Sequence, residues 1–152
     1  MKKLTLTLVL LSTFALFGCE VPANQTTEVK YLQMPGTPDG LPFSSAVRAG
    51  DTLYLSGNLG NLPGTLDLAP GGIEGETRQT MENIAAVLRE FGSSMDEVVK
   101  CTVFLADMAE WGAMNEVYRT YFTNAPARSA LGASGLALGA RVEIECIAVT
   151  QT

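Results

Sequence analysis

The 152-residue sequence predicts an α/β (α+β) fold: a two-layer sandwich in which a single mixed sheet carries two helices on one face. Three observations lead there. Strand-like and helix-like segments alternate in the order β-β-α-β-α-β. Each helical segment carries one apolar stripe, and each long strand-like segment carries one uniformly apolar face that needs a helical layer over it.

"SSAVRAGDTLYLSG" reads as two short strands around the turn Ala49-Gly50-Asp51. Residues Asn58 to Gly75 hold five glycines and two prolines and are expected to form a long loop. From Glu76 to Phe91, Met81, Ile84, Ala85, Leu88 and Phe91 form a helical stripe, closed by Gly92. "SMDE" (94–97) resembles a capping box, but a strand follows so soon that it predicts a single turn at most. "VVKCTVFLA" is rich in β-branched residues and reads as a strand. A second helix is expected over 109–122, where Trp111, Met114, Tyr118, Tyr121 and Phe122 read as core packing. A short extended piece near Ser129 precedes "ARVEIECIAVT", the longest strand.

A period of two sorts the strand residues into faces. Leu53 and Leu55; Val99, Cys101, Val103 and Leu105; and Val142, Ile144, Cys146 and Ala148 form apolar faces expected beneath the helices. The opposite faces mix Tyr54 and Ser56; Lys100, Thr102 and Phe104; and Glu143, Glu145, Ile147 and Val149. A face with Phe104, Ile147 and Val149 is too apolar for water, yet it holds three charges. Burial against other copies of the chain satisfies both properties, with Lys100 read as an interface salt-bridge partner.

Lys2 and Lys3 precede an apolar run from Leu4 to Phe17, then Gly18 and Cys19. The run is short for a membrane span and suits an export signal. "LFGC" looks like a bacterial lipoprotein signal cleaved before Cys19, whose thiol takes the lipid; a plain cleaved signal and an uncleaved anchor are the alternatives. The expected divisions are residues 1–18 as signal, 19–35 as a polar tether and 36–152 as the domain. The protein is thus expected to be exported and held at a membrane by lipid on Cys19. Glu20, rather than Asp, leans towards the outer membrane of a Gram-negative cell, facing the periplasm.

Without its first 18 residues the chain keeps 8 basic and 16 acidic residues. A chain this acidic, with no basic run, is a poor partner for phosphate backbones, so nucleic acid is not expected as a partner. There is no histidine, which excludes Ser-His-Asp and Cys-His catalysis and His-rich metal sites; no metal or cofactor is expected. Only Cys101 and Cys146 remain beside Cys19, with no CxxC spacing. A disulfide suits an oxidising compartment, but two free buried cysteines are the favoured reading. Acid–base work must fall to carboxylates, hydroxyls or lysine.

"NAPARSALG" (124–132) sets Arg128 among small residues, with no acidic residue within ten positions on either side of the stretch except Glu116, which falls in the preceding helix. A rigid, permanently charged fork without a local counter-ion needs a partner from elsewhere. From the residues alone, pairing with Glu143 or Glu145 across a subunit interface is one answer and a ligand anion is the other.

The motifs resemble the Rid family (also called YjgF or UK114), small imine deaminases. "LPFSSAV" resembles the opening G-P-Y-S-x-A-V, and "LYLSGN" the strand ending S-G-Q. "QTMENIAAVL" is similar to the helix Q-T-x-x-N-x-x-x-x-L, "VVKCTVFLADM" to V-V-K-T-T-V-F-x-x-D, and "MNEVYRTYF" to x-N-x-x-Y-x-x-x-F. "PARSAL" and "RVEIECIAV" complete the set, so that the resemblance runs from about Gly40 to Val149.

The resemblance implies a chorismate-mutase-like fold and a homotrimer with active sites in the clefts between subunits. It implies hydrolytic deamination of 2-imino acids or enamines to 2-keto acids and ammonia, as in a 2-iminobutanoate/2-iminopropanoate deaminase-like hydrolase. Arg128 aligns with the arginine that clamps the substrate carboxylate, and Glu143 with the carboxylate that positions or activates water. Phe43, Ser56, Gly57 and Asn115 align with substrate-binding positions, although Ser56 and Asn115 also suit the satisfaction of backbone groups at a loop edge. Phe43 stands where tyrosine is usual, Asn58 where glutamine is, Leu41 where glycine is and Ala137 where proline is frequent. A membrane-tethered small-carboxylate binding protein without turnover is the alternative.

Overall fold

The computed structural model describes residues 26–150. Strands β1 (Val29–Leu32), β2 (Ala46–Ala49), β3 (Thr52–Leu55) and β4 (Asn58–Leu59) precede helix α1 (Gly72–Glu90). Then come β5 (Val98–Leu105), α2 (Trp111–Tyr118), β6 (Ala127–Gly132) and β7 (Val142–Val149). The seven strands form one sheet in the order β1-β2-β3-β7-β5-β6, with β4 also paired to β7. β5 and β6 run parallel across the α2 connection; the other pairs are antiparallel. The sheet is mixed and carries both helices, as the sequence predicts.

The core lies between the apolar sheet face and the helices. Leu53, Cys101, Val103, Ile144 and Ala148 from the strands meet Met81, Ile84 and Leu88 of α1 and Met114 of α2, and all are fully buried. Thr77 and Thr80 are buried too, and their hydroxyls donate one turn back to the carbonyls of Ile73 and Glu76 at 2.6 and 2.8 Å. No helix of the described residues is long and apolar enough to cross a membrane.

Five expectations are corrected. Val29–Leu32, assigned to the tether, forms β1 and pairs with β2 in register Val29↔Ala49 to Leu32↔Ala46. Four residues are too few for a visible period, so only their partner strand reveals them. The expected loop of 58–75 contains β4 and the first turn of α1, which begins at Gly72. Glycine's poor helix propensity hid that turn; at Gly75 a side chain is sterically excluded, since a Cβ there would lie 1.9 Å from the Pro70 carbonyl oxygen. Val99 leaves the apolar face: a register shift between Val98 and Lys100 buries Val98 and exposes Val99. Trp111 is not core, being 40 % exposed, whereas Met114 and Tyr118 are buried.

The fifth correction concerns the cysteines. Cys101 and Cys146 face each other across β5 and β7, with Cα atoms 4.1 Å apart, and are joined by a disulfide. Their spacing in the chain says nothing of this, because strand adjacency and register create the contact. Residues 1–18, expected to be a signal, and Cys19 lie outside the described residues.

Candidate active site

Arg128 sits on the edge strand β6, directly beside Cys101 of β5. Residues paired across strands share a face, so Arg128 projects to the helix-covered side, at the rim of α2. There its Nη1 donates to Asn115 Oδ1 at 2.8 Å. The guanidinium carbon lies 4.7 Å from the centroid of the Tyr118 ring and 5.7 Å from that of Trp111. Arg128, Asn115, Tyr118, Phe122 and Pro126 border a cavity of about 270 Å³. No ion pair to Arg128 occurs among the described residues.

Glu143 lies on the other face. It is the register partner of Phe104 on β5 and of Leu59 on β4. The chain advances four residues from Tyr54 to Asn58 while β7 recedes only three, from Ile147 to Ile144, leaving one extra residue at Ser56–Gly57. This irregularity presses Gly57 against Glu143: a Cβ on Gly57 would lie 1.9 Å from Oε1 and 2.8 Å from the carboxyl carbon. Burial, and secondarily the neighbouring Glu145 carboxylate, push the Glu143 carboxyl above its ordinary range.

The remaining candidates cluster with Glu143 rather than with Arg128. Ser56 Oγ donates to the Ser44 carbonyl at 2.7 Å, and Asn58 Nδ2 to the Ser56 carbonyl at 2.8 Å. Phe43, next to Ser44, exposes its ring, while its carbonyl accepts from Gln33 Nε2 at 3.0 Å. Lys100 Nζ reaches Ser129 Oγ at 3.3 Å on the open face of the sheet. One chain therefore holds two separate groups: Arg128 with Asn115 at the helical rim, and Glu143 with Gly57 and Ser56 on the opposite face. The sequence reading passed over Trp111 and Tyr118 as partners of Arg128. Their spacing with Asn115, at i, i+4 and i+7, was the available signal.

No group of acidic or cysteine side chains among the described residues could hold a metal ion. A second, larger cavity of about 720 Å³ lies between residues 34–38, the 61–66 loop and α1, bordered by Met34, Thr37, Asn61, Asn83 and Val87. It contains neither Arg128 nor Glu143.

Residues 37–150 match the family model described as endoribonuclease L-PSP. The chain belongs to the Rid/L-PSP family. This Rid chain is 45 % identical over 109 residues to the mouse 2-iminobutanoate/2-iminopropanoate deaminase, covering 71 % of itself and 81 % of the relative. Yeast Mmf1 superposes with a TM-score of 0.75 at 33 % identity, covering 82 % of this chain and all of the other. Escherichia coli TdcF, solved with bound serine, superposes with a TM-score of 0.73 at 28 % identity, covering 80 % of this chain and 99 % of the other.

Proposed function

We propose that this Rid chain hydrolyses 2-imino acids, or their enamine tautomers, to 2-keto acids and ammonia. One observation carries the reading: a guanidinium without a counter-ion among the described residues and a carboxyl of raised pKa occupy the positions at which the family resemblance implies a clamp and a base. The deaminase name of the mouse relative supports the reaction, and the serine bound to TdcF supports a carboxylate-bearing ligand of amino-acid size.

In this reading Arg128 holds the substrate carboxylate through two parallel hydrogen bonds. Water attacks the iminium carbon, and Glu143 accepts its proton as the carbon–oxygen bond forms. Protonated Glu143 returns that proton to the carbinolamine nitrogen; as the carbon–nitrogen bond then breaks, the Glu143 carboxylate takes the hydroxyl proton, leaving the 2-keto acid and free ammonia. A carboxyl of raised pKa is a stronger base for the first step than an ordinary one.

Arg128 and Glu143 face opposite sides of one sheet, so a working pair needs Arg128 from one copy and Glu143 from its neighbour. The open face supports such an assembly: Tyr54 is 47 % and Val149 41 % exposed, too much apolar surface for a face that stays in water. A homotrimer is the state the family resemblance implies. Lipid on Cys19 would tether the assembly at a membrane outside the cytoplasm, and the Cys101–Cys146 disulfide supports an oxidising compartment.

The test uses the full chain purified in detergent, beside Arg128→Ala. An amino-acid oxidase generates imines in the presence of semicarbazide, and loss of the trapped semicarbazone reports deamination. Faster imine loss with the wild type and not with Arg128→Ala is expected. If neither changes the rate while small carboxylates still bind, the chain is a carboxylate-binding protein and the enzymatic reading is wrong.

A further inference from the structure

Among the described residues of the chain, the groups that contact the Arg128 guanidinium are neutral. Trp111, Asn115 and Tyr118 fall on one face of α2, and all three turn towards the guanidinium. A hydrogen bond to an amide oxygen and the negative faces of two rings fix a guanidinium in place without cancelling its charge. The acidic residues nearest along this segment are engaged elsewhere: Glu110 with Arg141, and Glu116 with Arg119 at 2.7 Å. Tyr118 is a phenol and so uncharged near neutral pH, and burial pushes its pKa further up, to about 12, against the lowering pull of Arg128.

We propose that Trp111 and Tyr118 are positioning residues which, with Asn115, form a charge-neutral cradle: it orients Arg128 for a ligand carboxylate and leaves the positive charge available to it. The proposal rests on the reading of Arg128 as a carboxylate clamp. It accounts for Trp111, a large ring left 40 % exposed at the rim of the cavity. The Tyr118 hydroxyl is buried with no hydrogen-bond partner among the described residues, so it is the ring that meets the guanidinium. The ring beneath the guanidinium is the part that acts.

The decisive variant is Asn115→Asp. It preserves the shape and the acceptor for Nη1, so a merely structural role for position 115 would be kept or strengthened. A neutral cradle would instead be spoiled by the new counter-charge. The full chain in detergent is titrated calorimetrically with 2-oxobutanoate, a 2-keto acid of the product class, and KM and kcat are measured in the semicarbazide assay. In Asn115→Asp, 2-oxobutanoate affinity is expected to fall at least about tenfold with the thermal midpoint unchanged or raised. In Trp111→Leu, KM is expected to rise about tenfold with a smaller change in kcat. In Tyr118→Leu, which removes the ring and keeps a large apolar side chain, KM is expected to rise about tenfold, as in Trp111→Leu.

Wild-type affinity in Asn115→Asp, or wild-type KM in a folded Trp111→Leu, would overturn the cradle while leaving the clamp intact. Wild-type KM in a folded Tyr118→Leu would overturn the part given to the Tyr118 ring. If the wild type neither binds 2-oxobutanoate nor turns over imines, the clamp reading itself fails and the cradle falls with it.

Discussion

Gly57→Ala isolates the position of the Glu143 carboxylate from every other property of the site. The backbone at Gly57 lies outside the left-handed region that favours glycine, so alanine meets no conformational penalty there. The conflict is steric. The added Cβ would lie 1.9 Å from Oε1, 2.8 Å from the carboxyl carbon and 3.0 Å from Cγ of Glu143. Non-bonded carbon contacts settle near about 3.5–4.0 Å, so the carboxylate has to move by more than about 1 Å. Glu143 is only half-buried and can swing outwards, so the loss of stability should stay within about 1–3 kcal/mol. A displacement of that size in a catalytic group costs about a hundredfold in rate. The expected result in the semicarbazide assay is a kcat/KM lowered about a hundredfold in a protein that still unfolds cooperatively. The pH profile should move as well. Glu143 must be ionised to act as a base, so its raised pKa sets an acid limb above the ordinary carboxylate range; a carboxylate swung into water loses that elevation, and residual activity should extend to lower pH. Wild-type kcat/KM with an unshifted limb in Gly57→Ala would refute the argument that this position of Glu143 matters.

Four further outcomes are expected. Glu145→Gln removes the like charge beside Glu143, so the acid limb of kcat/KM should shift to lower pH; an unchanged limb would show that Glu145 does not tune the base. The sign for stability follows from the same elevation: folding favours the protonated form of Glu143, so its contribution weakens as pH rises through the folded pKa, and Glu143→Gln should flatten that dependence in denaturant titrations. Cys101 and Cys146 lie 45 residues apart, so the closed loop should contribute about 4 kcal/mol; Cys101→Ser/Cys146→Ser should lose most of it in denaturant unfolding, and two alkylatable thiols in the unreduced, unfolded wild type would deny the bond. A fatty-acid label incorporated during growth should appear on the wild type and vanish in Cys19→Ala; equal labelling of both would remove Cys19 as the lipid site.

The layers of the fold were legible because they depend on periodicity. Met81, Ile84 and Leu88 repeat at helical spacing, and Val142, Ile144, Cys146 and Ala148 at strand spacing, and these are the residues that meet in the core. What escaped depends on contacts between distant segments. β1 is defined by β2, the disulfide by the register of β5 with β7, and Val99 by an irregularity that shifts the period by one. The site divides in the same way. Parity along β7 places Glu143 on the open face from sequence alone. The face of Arg128 is set instead by its pairing with Cys101, and "ARSALG" has too few large residues to display an inside and an outside.

That division bears on how the site can evolve and how it can fail. Each half is built from local devices that serve it alone: for Glu143, an extra residue at Ser56–Gly57 with no side chain at Gly57; for Arg128, one stripe of α2. Among the described residues no hydrogen bond or ion pair joins Arg128 or Asn115 to Glu143, Gly57 or Ser56. Mixing an Arg128→Ala chain with a Glu143→Gln chain follows from this. If each site takes its arginine and its carboxylate from different copies, mixed assemblies contain some intact sites, and activity should reappear where neither parent has any. Persistent inactivity in mixtures whose subunit exchange is verified by mass would mean that both residues act within one chain, and the opposite-face geometry would then have to be abandoned.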